Sequence, residues 1–276
     1  MESDNQFRFV KSTHLPELTV LHAAMDGFSY DRHAHEEHAF GVTLTGRQDF
    51  FSSGVHHRST PGHVIQLNPE EVHDGHSGGD EPLSYVMVYI HPRHLEPLIA
   101  EAAGIARVDD FRVRETLMRD PVLRGHITEL ARLVSGGTGS RIEQEQALYG
   151  IASRAARHAG QFEPDAVATR PDVLLRRARD YIHSHVASDL SLEEISEAAH
   201  LSKYHFLRLF RRQFGMTPYR YVLNCRINAA RAELDTGASL SDLAYRYGFA
   251  DLSHFNRRFK RVYGMTPKRY QESITR

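Results

Sequence analysis

The sequence predicts an α+β protein of two domains: an N-terminal β-barrel or sandwich with a helical hairpin, and an all-α C-terminal domain. Three observations predict it. Short apolar runs separated by Gly and Pro occupy residues 20–92, and apolar spacings of three and four residues begin near residue 120. A repeat of about 48 residues fills the last third of the chain. At 276 residues, the chain has the length of two ordinary domains.

Composition excludes several classes of protein. The chain is 41% hydrophobic and 25% charged, which is typical of globular domains. It contains no apolar run near the roughly 20 residues that cross a bilayer, so no membrane partner is expected. The single cysteine, Cys225, rules out an internal disulfide, and the N-terminus lacks the pattern of an export signal. A cytoplasmic protein is therefore expected.

Charge is distributed unevenly along the chain. Residues 171–276 contain 18 Lys and Arg against 11 Asp and Glu, whereas residues 1–170 contain 16 against 24. A basic block joined to an acidic block indicates that the C-terminal part meets a polyanion.

The N-terminal elements are expected to form a barrel or sandwich. Residues 40–44, Val64–Leu67 and Leu83–Ile90 have the composition of strands. Apolar spacing predicts helices over residues 121–134 and 141–158, joined by a Gly-rich break, as an antiparallel hairpin. The hairpin either covers the β-domain or forms a dimerisation surface. Two prolines and the lack of periodicity predict a linker over residues 161–171, between domains at 1–160 and 172–276.

The repeat has the pattern of two helix-turn-helix units. The first copy spans residues 191–222 and the second residues 239–270, with an offset of 48 before the central turn and 49 after it. Ser191 with Glu194 forms the pattern of a capping box, which Ser239 with Asp242 approximates. The first helix of each copy ends near His200 or Gly248, and the second begins at Ser202 or Asp251. A helix over residues 219–234 connects the copies.

The second helix of each copy is predicted to read DNA. Its apolar face carries aromatic residues, and its other face carries hydrogen-bond donors suited to phosphates and base edges. The candidate DNA-binding residues are Lys203, Tyr204, His205, Arg208, Arg211, Arg212, Ser253, His254, Asn256, Arg257 and Lys260. If both helices read one face of double-stranded DNA, they lie about one helical turn apart, roughly 34 Å.

These residues resemble the AraC/XylS family of transcriptional regulators. The resemblance rests on the paired units, on GMTP at 215–218 and 264–267, and on YGF at 247–249 followed by SHF at 253–255. It covers the last hundred residues almost without gaps. It implies two subdomains joined by a linker helix, second helices at 203–212 and 252–260 that read the groove, and activation of transcription through RNA polymerase.

The N-terminal part resembles the cupin-type effector domain found ahead of many such regulators. In metal-binding cupins, a His-x-His pair, a Glu and a later His hold one ion. His33, His35 and His73 occupy comparable places, but the Glu position falls near Ala39 or Phe40, and only Glu37 could substitute. Three imidazoles could hold zinc in an open site. The favoured interpretation is instead that they line a ligand pocket, because the carboxylate is displaced.

A small barrel can hold one small molecule, and His33, His35, Phe40, His73 and Tyr85 are the candidates to contact it. The sequence therefore predicts a DNA-binding regulator, not an enzyme, that acts as a homodimer and whose activity a small-molecule effector modulates. Two alternatives remain: a metal-dependent cupin enzyme with an accessory helical domain, and a regulator without an effector.

Overall fold

A computed structural model describes residues 5–137, 139–159 and 170–274. The described chain divides into two compact units. The first contains the strands of the N-terminal part and three helices. The second contains seven helices of the C-terminal part together with the segment Tyr30–Ala34. The predicted linker at 161–171 lies almost wholly outside the described residues, and a helix already begins at Arg170.

Ten strands and three helices lie in the described residues of the N-terminal part. The strands are β1 Gln6–Lys11, β2 Leu18–Met25, β3 Ser29–His33, β4 His38–Thr45, β5 Gln48–Ser52, β6 Val55–Ser59, β7 Val64–Leu67, β8 His73–Ser77, β9 Leu83–Ile90 and β10 Leu117–Met118. The helices are α1 Pro92–Ala103, α2 Pro121–Ser135 and α3 Arg141–Ala159. The three strands and the helical hairpin that the sequence predicted are confirmed.

One sheet of six strands organises this unit, in the order β1-β2-β9-β4-β7-β10. Its central strands are buried on both faces because a layer packs on each side. One face carries Phe40, Val42, Val86 and Val88, which form a single apolar core with α1, α2 and α3. Alternate residues point to the opposite face of a strand. That second face, which carries Tyr85, therefore turns away from the helices.

A second sheet lies over that other face. Its strand β5 pairs antiparallel with both β6 and β8. The Thr43 hydroxyl of the first sheet lies 2.6 Å from the Ser59 hydroxyl of the second, so the two sheets face each other across a common interior. The result is the predicted cupin-like barrel, with the helices outside it.

The hairpin covers the β-domain. Leu123, Ile127 and Leu130 of α2 are fully buried in the core shared with the sheet, and α3 adds Leu148 and Ile151. The covering role is therefore confirmed, and dimerisation stays a prediction. Helix α1 was not predicted from the sequence, because Pro92 lies just after β9 and a proline at that place is typical of a strand end. In the structure Pro92 also begins a helix, whose N-cap residue His91 accepts a hydrogen bond from the Arg93 N–H.

The second unit is all-α, as predicted. Its helices are α4 Arg170–Ser184, α5 Leu192–Ala198, α6 Lys203–Phe214, α7 Pro218–Leu234, α8 Leu240–Arg246, α9 Leu252–Tyr263 and α10 Pro267–Ile274. The sequence predicted α5 to α9 and missed α4 and α10. The buried residues Leu175, Ala178 and Ile182 of α4 have the spacing of three and four that could have revealed it.

No helix in the described part of the chain combines the length and apolar composition that crossing a membrane requires.

A buried carboxylate joins the two helices of the hairpin. Asp120 is 3% exposed and caps α2 by accepting hydrogen bonds from the Val122 and Leu123 N–H groups, each at 3.0 Å. Its other oxygen lies 2.6 Å from Arg154 Nε and 2.5 Å from His158 Nε2 of α3. Burial alone would raise the pKa of Asp120, but the hydrogen bonds from His158, Arg154 and the Leu123 N–H hold it well below its usual range.

Replacing Asp120 by Ala should destabilise the first unit by about 2–4 kcal/mol. The change removes the cap of α2 and leaves Arg154 and His158 without their acceptor. Asp120→Asn keeps an oxygen that can cap the helix, so it should lose about half as much. Urea unfolding followed by circular dichroism measures both values. Equal stability of wild type and Asp120→Ala would contradict this account of the hairpin.

The burial of the His38 ring makes the stability of the protein depend on pH. Its ring is fully buried between Phe40 and Phe111, and neither ring nitrogen has a hydrogen-bond partner among the described residues. Burial, followed by the charges of Arg112, His35 and His91, lowers its pKa to about 3. In an unfolded chain the pKa is about 6.5, so between these values the unfolded state binds a proton that the folded state does not.

The free energy of unfolding should therefore fall as the pH drops below about 6.5, by up to about 1.4 kcal/mol per pH unit for this group. His38→Phe removes both unpartnered nitrogens and should make the slope shallower without reducing stability at pH 8. Unfolding curves of both proteins from pH 8 to pH 5 test this. Identical slopes would show that His38 is not the residue responsible.

Candidate nucleic-acid interface and ligand pocket

Each helix-turn-helix unit begins with a short helix whose N-cap residue is a serine. In the first helix-turn-helix unit, the Ser191 hydroxyl accepts a hydrogen bond from the Glu194 N–H at 3.2 Å. The Glu194 carboxylate in turn accepts one from the Ser191 N–H at 2.8 Å. The predicted capping box is thus confirmed. In the second unit, Ser239 is the N-cap residue of α8 but its side chain makes no capping hydrogen bond. Asp242, one methylene shorter than Glu194, does not reproduce the box.

The turn between the two helices has the same backbone in both units. His200 has φ of +51° and Gly248, at the equivalent position, has φ of +67°. Their N–H groups donate to the carbonyls of Glu197 and Tyr245, at 2.8 and 3.0 Å. Left-handed backbone favours glycine because a side chain there is strained. The first unit therefore has a strained residue where the second has glycine.

His200→Gly should stabilise the all-α C-terminal domain by up to about 1 kcal/mol, because the change removes this strain. Gly248→Ala should destabilise it, because of the positive φ and because the new Cβ would lie 3.0 Å from Arg226 Nη1. Thermal unfolding of the two variants measures the opposite shifts. If both variants lower the melting temperature, the shared geometry of the two turns is wrong.

The second helix of each unit is held by an aromatic stripe. Phe206 and Phe210 of α6 are fully buried with ring centroids 5.1 Å apart, and Phe255 and Phe259 of α9 repeat this at 5.8 Å. Both helices end at a left-handed glycine, Gly215 and Gly264. The sequence predicted this arrangement, and it is confirmed. Because one face of each helix is committed to the core, the opposite face is presented outward.

The outward faces carry the residues that the sequence proposed as DNA contacts. All six candidates on α6 are exposed, with Tyr204 at 90%. On α9, Ser253, Arg257 and Lys260 are exposed, whereas His254 and Asn256 are half-buried. Lys203 forms an ion pair with Glu193 of α5 at 3.0 Å. Exposed ion pairs contribute little free energy, so this pair can give way to a phosphate.

The offset of 49 residues aligns the two faces position by position. Both carry His at 205 and 254, and both carry Arg at 208 and 257. They differ where Leu207 of α6 corresponds to Asn256 of α9, and where Tyr204 corresponds to Ser253. The two helices thus present a shared cationic part and a distinct part near their N-termini, which is the end that meets base edges in helix-turn-helix proteins.

Helix α7 holds the two helix-turn-helix units together. Near its beginning, the Tyr221 ring meets the Phe210 ring of α6 edge-on, with centroids 5.4 Å apart. Further along, Asn228 accepts from the Tyr263 hydroxyl at 2.8 Å. With 17 residues, α7 is about 25 Å long. Helix α7 therefore packs against the first helix-turn-helix unit near its beginning and against the second helix-turn-helix unit further along.

The candidate ligand residues fall on different surfaces. His35 and His73 lie together with ring centroids 4.9 Å apart, and His35 also meets the Tyr89 ring edge-on at 5.1 Å. Burial, with a smaller effect of His35, lowers the pKa of His73 to about 3. His33 lies in the segment that clusters with the helical unit, with Nδ1 at 2.7 Å from the Asp31 carbonyl oxygen.

Phe40 does not face the barrel interior, contrary to the sequence prediction. It pairs with Val88 and belongs to the core beneath α1, α2 and α3. Tyr85 lies on the other face of the same sheet, where it pairs with Thr43. The error arose because β4 is buried on both faces, so hydrophobicity alone does not tell which residues point inward.

The zinc alternative does not fit the structure. Within residues 5–137, 139–159 and 170–274, no group of three or more His, Cys, Asp or Glu side chains is placed to hold a metal ion. His33, His35 and His73 are therefore not brought together as the three-imidazole alternative requires, and no chemical step is assigned to a metal.

Two family models match the chain. The AraC-like ligand binding domain matches residues 15–152, and the Helix-turn-helix domain matches residues 195–273. The regulator YbfI of Bacillus subtilis, described as an uncharacterized HTH-type transcriptional regulator, is 27% identical over 81% of this chain and 80% of its own length. The HTH-type transcriptional activator RhaS of Klebsiella pneumoniae is 33% identical over 30% of this chain and 31% of its own.

Solved structures share the fold over almost the whole chain. Apo ToxT from Vibrio cholerae superimposes with a TM-score of 0.62 at 14% identity, covering 96% of this chain and 99% of ToxT. ToxT with a bound unsaturated fatty acid gives 0.59 at 14%, covering 100% and 97%. A β-domain that matches ligand-binding modules, joined to a duplicated helix-turn-helix, defines a class of two-domain transcriptional regulators. The chain belongs to the AraC family of that class.

Proposed function

We propose that this regulator binds specific double-stranded DNA through α6 and α9 and activates transcription in the cytoplasm, without enzymatic activity. The observation that carries the proposal is the pair of exposed cationic faces, each backed by a buried aromatic stripe. Contact with RNA polymerase is part of the proposal, and the activator RhaS among the relatives supports it.

Substitution of Arg208 and Arg257 tests DNA binding through α6 and α9 most directly, because these residues occupy equivalent positions on the two faces. Replacing either by Ala should weaken operator binding roughly tenfold or more. If the lost contact is to phosphate, the salt dependence of binding falls by about one unit of slope; if it is to a base, specificity relaxes instead. Titrations with selected DNA at several salt concentrations separate these outcomes.

Arg176→Ala is the matched control, because Arg176 is an exposed arginine on α4 and belongs to neither α6 nor α9. It removes the same charge and should change affinity much less than either test variant. If Arg208→Ala and Arg257→Ala both bind as the control does, the two reading faces are misplaced.

We also propose that an effector bound in the barrel modulates DNA binding. The ligand-binding family match and the fold shared with ToxT, one structure of which holds a fatty acid, support this. An effector shifts an equilibrium only by binding two states with different affinity. A ligand that binds tightly yet leaves DNA affinity, oligomerisation and transcription unchanged would leave the regulator without an effector.

A homodimer is the remaining part of the proposal. Helix α3 has Ile142 at 72% exposure and Tyr149 at 40%, on one side of the helix and away from the covered core. Exposed apolar side chains in a row are a feature of association surfaces. Sedimentation equilibrium of the full chain gives its mass in solution, and a monomer at micromolar concentration would argue against the dimer.

A further inference from the structure

A cavity lies between α1 and the segment that follows it, outside the barrel. One wall is a single face of α1, because the residues that line it recur at spacings of three and four: Arg93, Glu96, Pro97, Ala100 and Glu101. The other wall is formed by residues 105–109. The cavity has a volume of about 440 Å³, and small-molecule sites in proteins span roughly 300–1,000 Å³.

The floor of this cavity is apolar and belongs to the core. Ala100 and Val108 are 6% and 8% exposed, and both are part of the core that α1 shares with the first sheet. Pro97 and Ile105 also line the cavity, and both are exposed, Ile105 at 41%. A guest with an apolar body would remove this surface from water, which favours binding.

The two arginines that line the cavity already have carboxylate partners. Arg93 forms an ion pair with Glu17, and Arg107 Nε lies 2.7 Å from an oxygen of Asp109. An anionic guest would have to compete with these carboxylates for either guanidinium. The charge pattern therefore disfavours an anion in this cavity.

Two carboxylates of α1, in contrast, lack a cation. Within the ranges that the structure describes, neither Glu96 nor Glu101 forms an ion pair. Glu96 Oε1 accepts a hydrogen bond from the Phe111 N–H at 3.1 Å, which fixes this carboxylate against the following segment. The last turn of α1 contains no basic residue. Because the C-terminal end of a helix carries negative partial charge, it adds to the attraction for a cation.

We propose that this cavity binds a small primary amine with an apolar body. The ammonium group donates to Glu96 and Glu101, and the apolar body packs against Pro97, Ile105 and the floor of the cavity. An ammonium has three N–H donors and no acceptor, so it can donate to more than one carboxylate at once. The site goes beyond the proposed function, because it requires neither DNA binding nor an effector inside the barrel.

The test uses the full-length protein and three probes that share an indole ring and differ at the end of the side chain. Tryptamine ends in an amine, tryptophol in a hydroxyl and indole-3-acetic acid in a carboxylate. The chain contains no Trp, so the indole fluorescence of the probe is free of a protein indole signal. The anisotropy of this fluorescence rises when the probe binds, and titration with protein gives the Kd.

The expected result is that tryptamine binds about tenfold more tightly than tryptophol, and that the acid binds most weakly. Added salt should weaken the binding of tryptamine but not of tryptophol, because only the amine is charged. Glu96→Gln and Glu101→Gln should each weaken tryptamine about fivefold and leave tryptophol unchanged. The amide at position 96 keeps an oxygen that can accept from the Phe111 N–H, so this variant should retain the contact between α1 and the segment.

Glu81→Gln is the matched control. It removes the same charge from an exposed position before β9, at the opposite end of that strand from α1. It should leave the affinity for tryptamine as in wild type. Ile105→Ser tests the apolar contact and should weaken tryptamine and tryptophol by the same factor. Thermal unfolding followed by circular dichroism checks that every variant is folded.

The proposal is overturned if tryptophol or the acid binds as tightly as tryptamine. It is also overturned if Glu96→Gln and Glu101→Gln both keep the wild-type affinity for tryptamine, because the probe then binds elsewhere. A Kd for tryptamine weaker than about 1 mM would equally exclude this site.

Discussion

The structure of the C-terminal unit depends on the burial of two aromatic stripes, Phe206 with Phe210 and Phe255 with Phe259. These rings fix the rotation of α6 and α9 about their own axes, because no other orientation removes them from water. The outward position of Arg208 and Arg257 follows from that rotation rather than from any contact of their own. The surface that we propose meets DNA is therefore set by the apolar core beneath it.

Duplication of the unit explains both the likeness and the difference of the two faces. The turn needs a left-handed residue, which one copy supplies as Gly248 and the other as a strained His200. Both copies keep the residues that support the helix and the shared arginine. They diverge at exposed positions such as Tyr204 and Ser253. Under the proposal that both faces contact DNA, each copy is thus free to prefer its own base sequence.

Local patterns in the sequence predicted the helical unit well. Capping residues, spacings of three and four and the internal repeat act over short distances, so they identified α5 to α9. Helix α4 was missed because it follows a segment taken as linker, and α1 because Pro92 ends a strand and begins a helix at once.

The barrel was predicted as a class but not in detail. Short strands with turn residues indicated the barrel. Phe40 was nevertheless assigned to the wrong face of β4, because both faces of this strand are buried and hydrophobicity does not distinguish them.

The central claim is that one chain reads two consecutive major grooves with two helices on the same side of DNA. Hydroxyl-radical footprinting, on a site selected by the protein from random sequences, tests it most directly. The account predicts that each chain protects two patches about 10 base pairs apart on one face of the duplex. A single protected patch per chain, or two patches on opposite faces, would contradict it.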